Sequence, residues 1–263
     1  ATGAHDVWVL AGALLSYTER LKLLVAIHPG LIAPTLLGKM AATLQEFSRG
    51  RLLINVVSGD AKMLGAYGMT MPHDDRYEMA DEYLQIWHRL FAGETVDFNG
   101  HYFQTQGAKL ALPVGQGIEP PPLWFGGSSD KAIDVAAKHV ETYLSWGETP
   151  DQIGAKVDLV KARAEKLGRE LEYGIRLYVI VRDTDEEAWA AAADLYGRMD
   201  EAAIAANQRF VGKTDSVGQQ RMTAMHGGQK PENLRDLEIA PNLWAGIGLV
   251  RPCLLYTSPS PRD

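Results

Sequence analysis

Residues Pro122–Lys138 read PLWFGGSSDKAIDVAAK, a short apolar run that is followed by glycines and serines and then by a helical pattern. Pro122–Phe125 predicts a short apolar strand, and the glycines and serines after it predict a turn into a helix that begins near Asp130. Glycine lets the backbone approach a ligand closely, and the N–H groups at a helix start attract anions. The stretch therefore fits a phosphate seat at Gly127–Ser129, and it fits as well a plain strand-to-helix turn with a Ser or Asp cap.

The composition narrows the class of protein. The chain has 263 residues, which fits one large domain or two small ones. The net charge of -7, without any basic block, argues against a nucleic-acid or acidic-membrane partner. Cys253 is the only cysteine, and no His, Glu or Asp set has metal-ligand spacing, so we predict neither a disulfide framework nor a metal site. No apolar run reaches the roughly 18 residues of a membrane span, and no signal peptide opens the chain. The single cysteine suits a reducing cytoplasm, where we expect the protein to lie.

Strand and helix patterns alternate along the chain at a spacing of roughly 30–40 residues, which is typical of βαβ units and a parallel sheet. The predicted strands are Leu21–Ile27, Leu52–Val57, Pro122–Phe125, Thr142–Trp146 and Tyr173–Val181, and the first two are expected to be buried on both faces. The predicted helices are Val7–Leu15, Pro34–Phe47, Asp75–Phe91, the one near Asp130, Pro150–Gly168 and Asp185–Leu195, and Thr95–Gly107 is predicted to be a hairpin. We prefer a TIM barrel, although the chain has too few strands to close one. The first strand lacks a G-x-G-x-x-G sequence, which disfavours a Rossmann nicotinamide site.

Polar side chains lie where ligands gather in such sheets, at the carboxyl ends of the strands. Asn55 and Ser58 end the second strand, and Asn55 is either a hydrogen-bonded core residue or a contact to a heteroaromatic ligand. His73 and Tyr77 stand four residues apart on one helical face, so both could touch one ligand. A cap formed by one of the two aspartates after His73 explains the same segment without a function.

Arg176 is a sharper signal, because apolar residues flank it within Tyr173–Val181. A buried guanidinium needs an anion, either a carboxylate of the protein or an anionic substrate. Tyr178 is two residues further and is expected on the same face of the strand. Trp146, like Trp124, either walls an apolar pocket or fills the core.

Gly197–Leu249 is predicted to be irregular, and a segment of this length is either a lid or disordered. Gly246, Gly248 and Arg251 suit a mobile lid, over about residues 197–251, that brings a cation over a bound anion.

Several stretches jointly resemble a known family. They are TERLKLLVAIHPG, KMAATLQEFSRGRLLINVVSGD, HDDRYEMADEYLQIWHRLFAGETVDFNG, GAKL, PPLWFGGSSDKAIDVAAKHVETYLSWGETP, YGIRLYVIVRDTDEEAW, TDSVGQQRMTAMHGG and APNLWAGIGLVR. Together they resemble the two-component alkanesulfonate monooxygenases of the bacterial luciferase-like superfamily. The resemblance implies an α/β TIM (β/α)8 barrel. It also implies reduced flavin mononucleotide (FMNH2) from a separate NAD(P)H-dependent FMN reductase, and O2 as oxidant. The implied reaction converts an alkanesulfonate to an aldehyde and sulfite, and a homo-oligomer is implied as well.

The resemblance also implies roles for individual residues. The flavin-contact positions are Asn55, Ser58, His73, Tyr77, Gly127, Ser128 and Ser129. Arg176 and Arg251 match the arginines that bind the sulfonate or the flavin-bound oxidant.

This sequence departs from the family in three places. Tyr178 stands where the family usually has His, and this puts the substrate in question because Tyr carries no positive charge at neutral pH. The active-site Cys of some relatives has no counterpart here, and His5 takes its space in the expected substrate pocket beside Trp146. We expect residues 1–251 to form an incomplete barrel that lacks its first strand, most of its second and its last. We expect residues 252–263 to be a non-family tail of artefactual origin.

Overall fold

The computed structural model describes residues 5–59, 61–112, 115, 117–212, 217–250 and 255–259. The chain divides into two compact units. Unit 1 comprises Ala1–Tyr143 and Val160–Glu172, and unit 2 comprises Leu144–Leu159 and Tyr173–Asp263. None of the helices described is long and apolar enough to cross a membrane.

Unit 1 alternates strands and helices in the predicted order. Its elements are α1 (Val7–Tyr17), β1 (Leu23–Ile27), α2 (Pro34–Ser48), β2 (Leu52–Val56), α3 (Ala61–Gly65), α4 (His73–Phe91), β3 (Val96–Asn99), β4 (Gln104–Ala108), β5 (Leu123–Phe125) and α5 (Asp130–His139). Three elements have residues in both units: β6 (Thr142–Trp146), α6 (Pro150–Glu165) and β7 (Glu172–Arg176). These bounds confirm the predicted helices and hairpin to within a few residues.

The central sheet has the strand order β1-β2-β5-β6-β7, and the registered pairs along it are parallel. One row of residues across it packs under the helices and is buried: Ile27, Val56, Phe125 and Tyr143. The adjacent row points to the opposite face and consists of Ala26, Asn55, Trp124 and Thr142. We call this second face, within unit 1, the open face, because Ala26 is exposed and Asn55 and Trp124 are half-buried.

The prediction that β1 is buried on both faces is wrong. Val25 and Ile27 are buried, whereas Leu24 and Ala26 on the open face are exposed. The described strands do not close into a barrel, and within unit 1 no strand lies over this face. A continuous apolar run marks a strand suited to burial on both faces, but burial itself depends on strands elsewhere.

Unit 2 holds a four-stranded sheet with helices. Its further elements are β8 (Tyr178–Arg182), α7 (Asp185–Gly197), α8 (Glu201–Val211), α9 (Val217–His226), β9 (Glu238–Ala240), β10 (Leu243–Trp244) and β11 (Leu255–Pro259), with 3-10 turns at Leu234–Leu237 and Gly246–Leu249. The strand order is β8-β11-β10-β9. Trp244 and Leu249 are fully buried and pack with Trp189 and Tyr196 of α7 in its core.

Two predictions for this unit are wrong. Tyr173–Val181 is not one strand but two, β7 and β8, which belong to different sheets and are separated by Leu177. Gly197–Leu249 is largely ordered into helices, turns and strands rather than irregular. Leu255–Pro259, within the segment expected to be a non-family tail, forms β11, which pairs in parallel with β8 and antiparallel with β10.

Candidate functional site

The carboxyl edge of β1, β2 and β5 carries most of the predicted flavin contacts. Asn55 lies on the open face, in register with Ala26 and Trp124. It is half-buried, and its amide has no hydrogen-bond partner among the residues described. The alternative of a hydrogen-bonded core Asn is therefore wrong, and a contact to a ligand stays a prediction. Ser58 follows two residues after β2 and is also half-buried.

The first turn of α4 brings His73 and Tyr77 together, as predicted. Their ring centroids lie 5.0 Å apart, and Tyr77 in turn contacts the ring of Phe125 at 6.3 Å. The prediction that Asp74 or Asp75 caps the helix is wrong, because the N-cap residue is Pro72 and no side chain caps it. Both aspartates lie in the first turn, where negative charge favours the helix dipole. Asp74 accepts a 2.8 Å hydrogen bond from Nδ1 of His73.

The Gly127–Ser129 seat joins β5 to α5. Ser129 is the N-cap residue of α5, and its Oγ accepts from the Ala132 N–H at 3.3 Å. The hydroxyl of Tyr143 donates to the carbonyl of Gly127 and fixes the turn. A Cβ on Gly127 would lie closer to the Cβ of Ala132 than van der Waals contact allows, so the turn requires glycine. The predicted cap is confirmed and belongs to Ser129. The phosphate seat remains compatible with it.

His28 belongs to this edge and was missed as a site residue. It follows the last residue of β1, and its Nδ1 lies 2.9 Å from the carbonyl oxygen of Val57 on the neighbouring chain segment. A carbonyl only accepts, so Nδ1 carries the proton. Burial lowers the pKa of His28, against the opposing effect of the Val57 carbonyl. The only signal in the sequence was its place, directly after an apolar run.

In unit 2, the segment after β6 carries a buried ion pair that the sequence did not predict. Lys156 of α6 is 6% exposed, and its Nζ donates to the carboxylate of Glu148 and, at 3.2 Å, to the Oγ of Ser145. Arg221 of α9 lies 3.8 Å from the other oxygen of Glu148. Burial lowers the pKa of Lys156, and Glu148 opposes this effect. The pair fixes the backbone on both sides of Trp146, which packs against Met222 and Leu243.

The structure corrects the prediction for Arg176 and Tyr178. Both are exposed, and they lie on different strands rather than on one face of a single strand. The carbonyl of Arg176 accepts from the Gly147 N–H at 3.2 Å, which is the parallel register that places Arg176 beside Trp146 on the same face. The exposed side chain contradicts the prediction of a buried guanidinium at this position.

The remaining predicted residues lie outside these clusters. His5 is exposed and directly precedes Asp6, the N-cap residue of α1. Arg251 lies outside the described residues. The flavin-contact set belongs to unit 1, whereas Trp146, Arg176 and Tyr178 belong to unit 2. Among the described residues, no group of three or more His, Cys, Asp or Glu side chains could hold a metal ion.

The luciferase-like monooxygenase family matches residues 1–249. Among solved structures, long-chain alkane monooxygenase LadA has a TM-score of 0.72 and 22% identity over 87% of this chain and 62% of its own. Riboflavin lyase RcaE, solved with modified FMN and riboflavin, has a TM-score of 0.72 and 21% identity over 98% of this chain and 70% of its own.

A third structure is the oxygenating constituent of 3,6-diketocamphane monooxygenase, encoded on the CAM plasmid of Pseudomonas putida, in complex with FMN. It has a TM-score of 0.58 and 19% identity over 68% of this chain and 54% of its own. The chain thus spans 54% to 70% of the lengths of these structures. Likeness at this identity shows the fold, which is of the luciferase-like TIM-barrel type with the barrel not closed. The match over residues 1–249 shows in addition that the chain belongs to the luciferase-like monooxygenase family.

Proposed function

We propose that this chain is the flavin-binding part of a monooxygenase that uses FMNH2 and O2 to desulfonate alkanesulfonates. The observation that carries the proposal is the family match over residues 1–249 together with the Gly127–Ser129 seat at the carboxyl edge. One oxygen atom of O2 enters the aldehyde and the other leaves as water. The sulfonate leaves as bisulfite, and FMNH2 returns as FMN. A cytoplasmic homo-oligomer supplied with FMNH2 by an NAD(P)H-dependent reductase is part of the same proposal.

The residues of unit 1 fit an FMN phosphate. Gly127 brings the backbone close to α5, and the ten-residue helix presents its N-terminal N–H groups beside Ser128 and Ser129. His73 and Tyr77 stand next to Phe125, which leads into the seat. Two of the neighbouring structures were solved with FMN or a modified FMN. When bound and reduced, FMN would supply the electrons that activate O2, and the protein's role is to bind it and exclude water.

The substrate part of the proposal rests on cationic side chains of unit 2. A sulfonate is an anion that accepts hydrogen bonds, and the planar guanidinium fork of Arg176 can donate two parallel hydrogen bonds to its oxygens. Arg176 shares its face with Trp146, which offers an apolar surface for an alkyl chain. Arg251 is proposed as the second cation.

The closest alternative keeps the barrel and the flavin but changes the substrate to a sulfone or another uncharged molecule. Tyr178 favours this alternative, because a phenol donates a hydrogen bond without bringing charge. A third possibility is a non-catalytic flavin-binding fragment, since exposed edge strands favour pairing with another chain over independent function.

The test is sulfite release. The protein is given FMN, an NAD(P)H-dependent reductase, NAD(P)H and a series of alkanesulfonates, and sulfite is measured with a thiol-reactive chromophore. Sulfite formation that depends on the flavin supports the proposal. Oxidation of dimethylsulfone without sulfite from any sulfonate would favour the alternative substrate. Tight binding of FMN without turnover of either class would favour the non-catalytic fragment.

A further inference from the structure

We propose that His28 is a further ligand-contacting residue, which accepts a hydrogen bond from an N–H group of the isoalloxazine ring of FMN. The inference rests on the proposed function and assigns a contact to a residue that the sequence motifs left out. Three features of the structure carry it: the face on which His28 lies, the ring nitrogen that is already used, and the place of the phosphate seat.

The position of His28 follows from the strand ladder. Side chains alternate along a strand, so residues 24, 26 and 28 share one face. The ladder continues to this level, because the Val57 N–H donates to the carbonyl of Ile27 at 2.9 Å. His28 therefore lies on the open face, one step beyond the row that contains Ala26 and Asn55. Its side chain is half-buried at the carboxyl edge, where barrels of this type bind ligands.

The hydrogen bond to Val57 determines which ring nitrogen of His28 is available to a ligand. Nδ1 donates to the Val57 carbonyl at 2.9 Å, so in the neutral ring Nε2 holds a lone pair. Burial lowers the pKa of His28 and favours this neutral form. A neutral Nε2 can only accept, and phosphate or sulfonate oxygens also only accept. His28 therefore selects a ligand that presents a donor.

The isoalloxazine ring presents such donors, since its imide nitrogen carries a hydrogen and the reduced ring carries more. The phosphate seat lies at the end of β5, and the sheet order β1-β2-β5 places β1 two strands away. Two strand spacings are about 10 Å. FMN carries its phosphate at one end of a five-carbon chain and its flat ring at the other end. It can therefore span a distance of this order.

Among the described residues, no ionisable side chain contributes to the pKa shift of His28. The causes of its pKa shift are burial and the Val57 carbonyl. The neighbouring polar residues do not titrate; they are Asn55 of β2 and Ser58, two residues after that strand. Helix α4 packs its Met79 against Gly30, and the ionisable groups of its first turn are His73, Asp74, Asp75 and Arg76. These groups are unchanged in the variants below.

The test measures FMN binding by quenching of flavin fluorescence in wild-type protein and in His28→Asn. The Asn amide can still donate to Val57 but has no acceptor at the place of Nε2. The matched control is His101→Asn, the same substitution at an exposed histidine in the β3–β4 turn. Thermal melting checks that all three fold.

We expect His28→Asn to weaken FMN binding by about 5- to 10-fold, the loss of one hydrogen bond, and the His101 variant to bind as wild type. Wild-type affinity should fall only at a pH below the ordinary imidazole range, because the lowered pKa of His28 delays the protonation that removes the acceptor, and the His28→Asn profile should be flatter. The affinity for inorganic phosphate should be the same in all three.

Two outcomes overturn the inference. If the folded His28→Asn variant binds FMN within about twofold of wild type, His28 makes no such contact, while the proposed function stands. If His28→Asn weakens the binding of FMN and of inorganic phosphate equally, His28 affects the phosphate seat and does not contact the isoalloxazine ring. A failure of folded wild-type protein to bind any FMN removes the proposed function itself, and is thereby distinguished from the first two.

Discussion

Acidification should destabilise unit 1 through His88. This residue of α4 donates from Nε2 to the carbonyl of His139 at 3.0 Å, and the two imidazole rings stack with centroids 5.5 Å apart. Burial is the largest of the effects that lower the pKa of His88 to about 4; the nearby His139 and Arg169 act in the same direction, whereas the bond to the His139 carbonyl opposes the shift. The folded protein therefore holds His88 neutral where an unfolded chain would protonate it.

Proton linkage gives the sign and the size of the change in unfolding free energy. The folded pKa of about 4 lies below the unfolded value of 6.5, so the stabilisation is complete above pH 6.5 and is lost as the pH falls toward 4. A shift of this size corresponds to about 3 kcal/mol, since each unit is about 1.4 kcal/mol, and partial exposure of His88 reduces this to about 2–3 kcal/mol. Burial also lowers the pKa values of His28 and His226, which adds to the same acid limb.

The assay is urea unfolding at a series of pH values in wild type, His88→Gln and the surface control His101→Gln. Gln keeps a donor for the His139 carbonyl but cannot be protonated. Between about pH 7 and about pH 4.5 the wild type should lose about 2 kcal/mol more unfolding free energy than His88→Gln, and the control should follow the wild type. Parallel curves for wild type and His88→Gln would refute the reasoning.

Two further predictions concern the seat and the buried ion pair. Gly127→Ala should lower the free energy of unfolding by about 1–3 kcal/mol in urea titrations, because the new methyl group forces the turn away from Ala132. The same change should weaken the binding of inorganic phosphate. Unchanged phosphate binding would argue against a phosphate seat at this turn. Lys156→Met should destabilise by about 3–5 kcal/mol, because it leaves the buried carboxylate of Glu148 without its main partner. The double variant Lys156→Met/Glu148→Leu should recover most of that loss, and equal melts for the single and double variants would contradict this.

Local sequence was sufficient for the elements of unit 1. The apolar runs predicted the strands, and the glycines and serines after Phe125 predicted the turn into α5 and its cap. Each of these depends on residues close in sequence, and for that reason pattern and turn chemistry predicted them well.

Properties set by distant pairing were not predictable. Neither glycine nor proline stands at Leu177 or directly beside it, so the sequence gives no sign that β7 and β8 join different sheets. The strand β11 depends on pairing with β8, about 75 residues away. Arg176 is exposed because burial of its face requires a closed barrel. Lys156 meets Glu148 only after a loop returns the chain into α6.

The most direct test of the flavin site compares FMN with riboflavin, which has the same ring but no phosphate, by calorimetric titration of the folded chain. An anion bound at Gly127–Ser129 predicts that FMN binds at least about tenfold more tightly than riboflavin, a difference of about 1.4 kcal/mol. Equal affinities for the two flavins, or no binding of either, would contradict a phosphate seat at the start of α5.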